Sequence, residues 1–339
     1  MKHVIALDVS KGKSTIAIYD GYRQCEFEGE LYHTRIDFEQ LHLRIKEITA
    51  LDGQAPEIVF EATGVYSKSV EKFLRDHGHT YCRMNPLEAN LQMASMRRHK
   101  TDISDAHELA KTHIKLERET TYVQNDYYEQ MRAITRYYAE LERAEKKAIV
   151  LLEAAKNSYP AIEPTDIRCN QVRDYARRIA DLMEKKDQLV KQMVMMSEGR
   201  KEYTVLRSFP GIGDTTACRL IGELGDIRRF KNAKQLNAYV GIDIMRYQSG
   251  NTQYRDRINK RGNKKLRKIL FFMICTMLMA KRKPNHLVDY YHKLKTQPQR
   301  KPHKVAIVAC INKFLKVTFQ LLTHGILYDY ESALPAQKS

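Results

Sequence analysis

Over the first eighty-odd positions apolar residues come in short runs that suit strands. His3 to Asp8 is one such run and ends in an acid, and Ser14 to Asp20 alternates small and β-branched residues after the turn Ser10-Lys11-Gly12-Lys13. This predicts a hairpin with Asp8 at its mouth. Gln24 to Tyr32 predicts a third strand, Phe38 to Ala50 a helix, and Glu57 to Glu61 a buried strand that also ends in an acid. The turn Ala62-Thr63-Gly64 then leads into a helix over Ser67 to Asp76, a strand at Thr80 to Met84, and helices from Pro86 onward.

The order β-β-β-α-β-α-β-α predicts a mixed sheet with helices packed on it, the layout of the ribonuclease-H-like superfold. In that layout Asp8 and Glu61 leave neighbouring strands at one end. The stretch Lys100-Thr101-Asp102-Ile103-Ser104-Asp105-Ala106-His107 reads as a helix start with two carboxylates on one face. Taken alone, Asp102 and Asp105 suit a helix N-cap and the positive end of the helix dipole. With Asp8 and Glu61 beside them they predict a metal site: like charges this close need a cation between them, and oxygen ligands suit Mg²⁺. Four such acids can hold two Mg²⁺ ions about 3.5–4 Å apart for phosphoryl transfer.

Further along, the period changes. Ile134, Tyr138, Leu141, Ala148, Leu152 and Ala155 alternate spacings of three and four, as do Val172, Tyr175, Ile179, Leu182, Leu189, Met193 and Met196. Each series is broken once by a charge, Glu145 in the first and Lys186 in the second. Between them Tyr159 to Asp166 carries two prolines, so the helix must break, and a coiled-coil hairpin is expected. The arm could serve as a spacer or as a contact between subunits.

Phe209-Pro210-Gly211-Ile212-Gly213 followed by Asp214 to Ile221 predicts a helix-hairpin-helix, with Gly211 and Gly213 letting backbone N–H groups face a phosphate. A short helix over Asn232 to Tyr239 precedes a polar, turn-rich stretch from Gly241 to Arg257 that presents Ser249 beside Gly250. A basic run overlaps its end: Arg255, Arg257, Lys260, Arg261, Lys264, Lys265, Arg267 and Lys268. Apolar helices are expected over Lys264 to Met279 and Val305 to Leu322, with a loose tail from Ser332. The chain is thus expected to divide into an α/β domain over 1–120, a coiled-coil hairpin over 121–205 and a mostly helical domain over 206–339.

Composition narrows the partners. The 339 residues carry a formal net charge of +17, a sequence pI near 9.5 and 43% hydrophobic residues, which fits packed cores and attraction to polyanions. No run of about 18 uninterrupted apolar residues is found, so nucleic acid is expected as partner and a membrane is not. Six cysteines without a Cys-x-x-Cys pair indicate neither zinc nor a disulfide framework. The first residues enter a strand pattern directly, with no signal peptide, and a cytoplasmic location is expected.

The motifs together resemble one family, the insertion-sequence-110 transposases with a RuvC-like Asp-Glu-Asp-Asp domain. The matching residues are Leu7-Asp8-Val9-Ser10-Lys11, Glu61-Ala62-Thr63-Gly64-Val65-Tyr66 and Lys100-Thr101-Asp102-Ile103-Ser104-Asp105-Ala106. Later in the chain they are Pro210-Gly211-Ile212-Gly213, Gln248-Ser249-Gly250, and Lys260-Arg261-Gly262-Asn263 with Leu266-Arg267. Asn259 departs from the pattern, which has a small hydroxyl residue there. The resemblance implies a recombinase guided by a bridge RNA, acting on donor and target DNA. It implies Asp8, Glu61, Asp102 and Asp105 as metal-binding catalytic acids, Ser249 as a nucleophile that joins covalently to DNA, and a dimer or tetramer bridged by the coiled coil.

Three other readings stand beside it. A sugar-kinase or actin-like phosphotransferase would need a second Gly-rich phosphate loop and an adenosine motif, and neither is found. A non-catalytic RNA- or DNA-binding scaffold would have no use for four acids that repel phosphate. A Mg²⁺-dependent junction-resolving nuclease would keep the acids and use water in place of Ser249.

Overall fold

The computed structural model of the chain describes residues 2–86, 102–116, 118–158, 166–167, 169–245, 248–249, 252–253, 257–279, 284–296, 298 and 300–333. The helices expected over 87–100, the proline break at 159–165, Gly250 and Arg255 lie outside the described residues, as do the side chains of Asp102 and Ser249. The chain divides into two compact units, Met1–Val123 and Gln124–Ser339.

The first unit is a five-stranded sheet made of β1 (Val4–Val9), β2 (Lys13–Tyr19), β3 (Cys25–Tyr32), β4 (Glu57–Glu61) and β5 (Tyr81–Met84) in the order β3-β2-β1-β4-β5. The β1–β2 and β2–β3 pairs are antiparallel, and β4 and β5 continue parallel to β1. Side chains alternate across a strand, so one sequence feeds two cores. Ile5, Leu7 and Val9 face α1 (Arg35–Asp52) and α2 (Ser67–Asp76), burying Ile45, Val70 and Leu74. Val4 and Ala6, with Ala17 and Val59, face Ala106, Leu109 and Ala110 of α3 (Asp102–Leu116). Thr34 caps α1 by accepting from Asp37 N, and Gly53 in the left-handed region ends it. The edge strand β3 pairs its alternate glutamates with cationic or imidazole groups, Glu26 with His3, Glu28 with His107 and Glu30 with Lys13, which keeps the edge charged.

The second unit is mostly helical. Its long helices α4 (Asp126–Ser158) and α5 (Cys169–Ser197) run antiparallel: Tyr127 OH meets Ser197 Oγ at 3.1 Å near one end, and Lys186 Nζ donates to Glu145 Oε2 at 2.5 Å further along. The two seam charges therefore meet within one hairpin. Near its base the pair shares a core with the helices that follow, α6 (Lys201–Ser208), α7 (Asp214–Leu224), α8 (Ala233–Val240), α9 (Lys264–Met279), α10 (His286–Thr296) and α11 (His303–His324). Met131 and Met193 from the hairpin bury against the same cluster as Leu206, Leu220, Leu270 and Phe314.

Helices α6 and α10 were not foreseen, since short helices with few apolar positions leave little periodicity to read. The expectation that no segment could span a bilayer needs correction: α11 is long and apolar enough by length and composition. It carries Lys304, Lys313 and Lys316, and it buries Ile307, Ile311, Phe314 and Leu315 in the core of the second unit.

The Glu145–Lys186 pair is largely shielded, with side chains 13% and 17% exposed. Burial pulls the Lys186 ammonium toward the neutral form, and the bond to Glu145 together with the fields of Tyr138, Glu145 and Glu142 outweighs it, leaving a net upward shift. Replacing either residue by Leu strands a shielded charge, so each single change should lower the melting temperature. The double replacement should cost less than the sum, with a coupling of about 1 kcal/mol. Additive losses in thermal melts would show that the pair is energetically irrelevant.

Candidate functional site

In the first unit β1 and β4 pair in parallel with Leu7 opposite Phe60, so the next residues, Asp8 and Glu61, stand side by side at the ends of neighbouring strands. Alternation puts Asp8 on the face of Val4 and Ala6, and Glu61 on that of Glu57 and Val59, which is the face covered by α3. Both carboxylates are partly exposed.

Two histidines tie α3 to this face. His113 Nε2 lies 2.8 Å from Glu57 Oε2, at the start of β4, and His107 lies with Nδ1 2.7 Å from Tyr19 OH and Nε2 2.8 Å from Glu28 Oε2, on β2 and β3. Asp102 opens the first turn of α3 and Asp105 lies within it. Among the described residues no three His, Cys, Asp or Glu side chains form a group that could hold a metal ion, so Asp8, Glu61 and Asp105 are not gathered at ligand distance.

In the second unit Ser249 lies on an arm between α8 and α9. Strands β6 (Ile244–Met245) and β9 (Arg257–Ile258) form its stem, and beyond them β7 (Gln248–Ser249) pairs with β8 (Thr252–Gln253), Ser249 opposite Thr252. The stem is clipped at its base: Asn259 N donates to Asp243 O at 2.9 Å and Asn259 Nδ2 to Asp243 Oδ2 at 2.9 Å. The Asn that departs from the family pattern thus has a partner that suits its amide.

The basic run divides by what each side chain does. Lys260, Arg261 and Lys264 are exposed. Arg267, expected as a nucleic-acid contact and a stabiliser of phosphoryl charge, instead donates Nη1 to Val240 O at 2.6 Å and Nη2 to Lys260 O at 3.3 Å. Its guanidinium fork holds backbone carbonyls at the foot of the arm. Lys265 is partly buried at the start of α9, whose first turn is capped by Asn263 Oδ1, accepting from Lys265 N and Leu266 N.

Beneath the arm lies a group that the sequence did not reveal. Glu223 is 2% exposed, and its carboxylate accepts from Arg136 Nε at 2.9 Å, Arg136 Nη2 at 3.0 Å and Asn263 Nδ2 at 2.7 Å. Tyr239 OH donates to Glu223 O at 2.9 Å. Burial pushes the carboxyl up, but Arg136 and Asn263 outweigh it and hold it below its ordinary value. Glu223 thus ties four helices together, its carboxylate joining α7 to α4 and to the cap of α9 and its backbone carbonyl joining α8. Gly262 completes the joint with φ 149°, where a Cβ would sit 2.6 Å from Tyr239 O. An acid within the otherwise apolar end of α7, Leu220 to Leu224, was the available signal.

Gly211 and Gly213 separate in the same way. Gly211 has φ 91° and a Cβ there would come within 2.9 Å of Met277 Cγ, so packing onto α9 demands this glycine whether or not a phosphate approaches. Around Gly213 the space is open, and it caps α7. Asp214 in the first turn of α7 pairs with Arg207 at 2.6 Å and accepts from Tyr203 OH at 2.6 Å. Burial and this carboxylate push the Tyr203 phenol up to about 12.

Known proteins match the chain over two stretches. A family model described as a transposase, of the DEDD type named for IS110, matches residues 5–155, and one described as "Transposase IS116/IS110/IS902 family" matches residues 203–292. Together they span more than half of the chain. The pilin gene-inverting protein of Moraxella bovis is 25% identical over 276 residues, covering 80% of this chain and 81% of that protein. The transposase for insertion sequence element IS1111A of Coxiella burnetii is 28% identical over 137 residues, 40% of this chain and 37% of that protein. Among solved structures, T. thermophilus RuvC in complex with a Holliday junction substrate aligns with 34% of this chain and 93% of its own at 10% identity and a TM-score of 0.25.

Two outcomes follow from the geometry of the second unit. Gly211→Ala should lower stability by about 1–3 kcal/mol through the clash with Met277, while Gly213→Ala should cost less than about 1 kcal/mol, as read in urea unfolding. Equal losses at both would contradict the packing role of Gly211. Glu223→Leu should cost about 3 kcal/mol or more, because it leaves Arg136 and Asn263 without their acceptor. Near-neutral unfolding of that variant would remove Glu223 as the joint.

Proposed function

The chain belongs to the IS110 family of transposases, and from that premise we propose that it exchanges DNA strands under the direction of a bridge RNA through a covalent serine–DNA intermediate supported by Mg²⁺. The observation that carries the metal part is the placement of Asp8 and Glu61 on adjacent parallel strand ends, on the face that α3 covers. The donor chemistry, hard carboxylate oxygens on regular elements, suits Mg²⁺, while among the described residues no three acids stand at ligand distance. Asp8, Glu61, Asp102 and Asp105 are the residues that would hold it. Bound there, Mg²⁺ supplies Lewis-acid stabilisation of charge on phosphate oxygens. The order of strands and the helix on the acid-bearing face support a ribonuclease-H-like reading of the first unit.

Ser249 is proposed as the nucleophile. Its Oγ forms a bond to phosphorus, the bond from phosphorus to one sugar oxygen breaks, the hydroxyl proton leaves to a base, and the departing oxygen takes up a proton. The ester keeps the energy of the broken bond for rejoining to a new strand. Lys260 and Arg261, exposed at the foot of the arm, would neutralise charge on the phosphate, while Arg267 would hold the arm in place. Lys264, Lys265 and the backbone at Gly213 would contact phosphates without reading sequence. Pairing with the guide RNA would then supply the target sequence. The printed name of the Moraxella relative, a gene-inverting protein, is consistent with conservative exchange between two DNA sites.

The deciding experiment incubates the protein with its guide RNA, target DNA and Mg²⁺, denatures the mixture, and looks for DNA migrating with protein. The wild type should give an adduct that chelation of the metal abolishes. Ser249→Ala and Asp8→Asn should each lose it by at least about a hundredfold while nucleic-acid binding persists. Free nicked ends from the wild type, or an adduct surviving in Ser249→Ala, would assign the attack to water or to another residue.

A further inference from the structure

Helix α3 buries a narrow stripe on the sheet. Ala106, Leu109 and Ala110 pack in one cluster with Val4, Ala6, Ala17, Tyr19, Val59 and Met84. Apolar contact of this kind holds a helix down and is non-directional, so it sets the axial position of α3 weakly. Directional contacts must do that, and two imidazoles supply them. His107 lies with Nδ1 2.7 Å from Tyr19 OH and Nε2 2.8 Å from Glu28 Oε2, reaching β2 and β3. His113 is 1% exposed and its Nε2 meets Glu57 Oε2 at 2.8 Å, reaching β4.

At about 100° per residue His113 falls within the buried stripe, between Leu109 and Ala110, whereas His107 stands about 100° from Ala106, off to one side. One pins α3 toward one edge of the sheet and the other toward β4. A slip by one turn would move the helix by about 5.4 Å, more than twice the ~2.1 Å reach of a Mg²⁺–oxygen bond. The acids Asp102 and Asp105 sit immediately before His107 on the same rigid rod.

We infer that His107 and His113 are positioning residues: they tie α3 to β2, β3 and β4 at two points and set its register on the sheet, and so the place of Asp102 and Asp105 relative to Asp8 and Glu61. The inference rests on the metal role proposed for those acids, and it adds residues that touch neither metal nor DNA. Glutamine places an amide near the position of imidazole Nε2, so it keeps the bond to the facing glutamate, whereas leucine fills the space without a donor.

The test uses the full-length protein without nucleic acid, titrated with Mn²⁺ and followed by electron paramagnetic resonance, with hydrogen exchange read over residues 102–116. The His107→Leu, His113→Leu double variant should bind Mn²⁺ at least about tenfold more weakly than wild type and lose amide protection in the first turns of α3. The His107→Gln, His113→Gln variant should recover most of both. If the Leu variant fails to fold, Glu28→Gln and Glu57→Gln weaken the same contacts from the strand side and should give the same direction of change. Wild-type Mn²⁺ affinity and wild-type exchange in a folded Leu variant would overturn the clamp, as would Gln variants that do no better than Leu. Absence of Mn²⁺ binding in the wild type, or binding unchanged in Asp8→Asn, would instead overturn the metal reading. In that event the exchange pattern alone decides the clamp, protection lost with Leu and restored with Gln supporting it.

Discussion

Parallel pairing of β1 with β4 brings two carboxylates to adjacent strand ends, and the first unit is arranged around the electrostatic cost of that placement. Neighbouring strands lie about 4.8 Å apart, and at that separation two negative charges repel by about 3 kcal/mol in an effective dielectric of ~20. Under the proposed reading a hard divalent cation offsets that repulsion, with Asp102 and Asp105 of α3 joining Asp8 and Glu61 in holding it. The rest of the unit serves rigidity: two cores grip the sheet from both faces, and the glutamates along β3 and at the start of β4 fix elements by directional bonds.

The second unit treats a carboxylate in the opposite way. Glu223 is almost fully buried, and its oxygens are satisfied by Arg136 and Asn263 from within the chain. Charge satisfied by fixed internal donors leaves no capacity for a ligand, so its work is mechanical. It locks the foot of the arm that bears Ser249 to the long helix α4. Arg267 acts on the same joint from the other side by holding the carbonyls of Val240 and Lys260. The contrast between a buried, saturated acid and a partly exposed group of acids separates scaffold from candidate chemistry in this chain.

Much of the first unit was legible because strands announce themselves by alternation and end at turns. Asp8 and Glu61 could be placed at strand ends from the residues alone, and the structure adds the register that makes them neighbours. The acids of α3 were legible as a pair, but not how the helix is tied to the sheet, which depends on His107 meeting Tyr19 and His113 meeting Glu57 from 88 and 56 residues away. Glu223 escaped notice because its partners come from segments 87 and 40 residues distant, and no local pattern encodes them. Gly211 invited a phosphate reading because the motif shows only the glycine, whereas the side chain that forbids anything larger, Met277, belongs to another helix. The bonds of Arg267 to the Val240 and Lys260 carbonyls were hidden for a related reason: a run of basic residues shows charge but not direction.

That division of the basic run bears on how the chain would recognise nucleic acid. A net charge of +17 provides strong attraction to phosphates, and such attraction is independent of sequence and falls steeply with salt. Arg267 keeps its charge and contributes to that attraction, but its guanidinium fork is engaged by carbonyl oxygens and has fewer donors left for a direct phosphate contact. Exposed residues such as Lys260, Arg261 and Lys264 can approach any phosphate with little preference among bases. Under the proposed reading the serine arm needs only to be held stiffly at its foot and surrounded by mobile positive charge. Discrimination between DNA sites is then left to base pairing with the guide, which recognises sequence through complementarity without requiring the protein to contact a base edge.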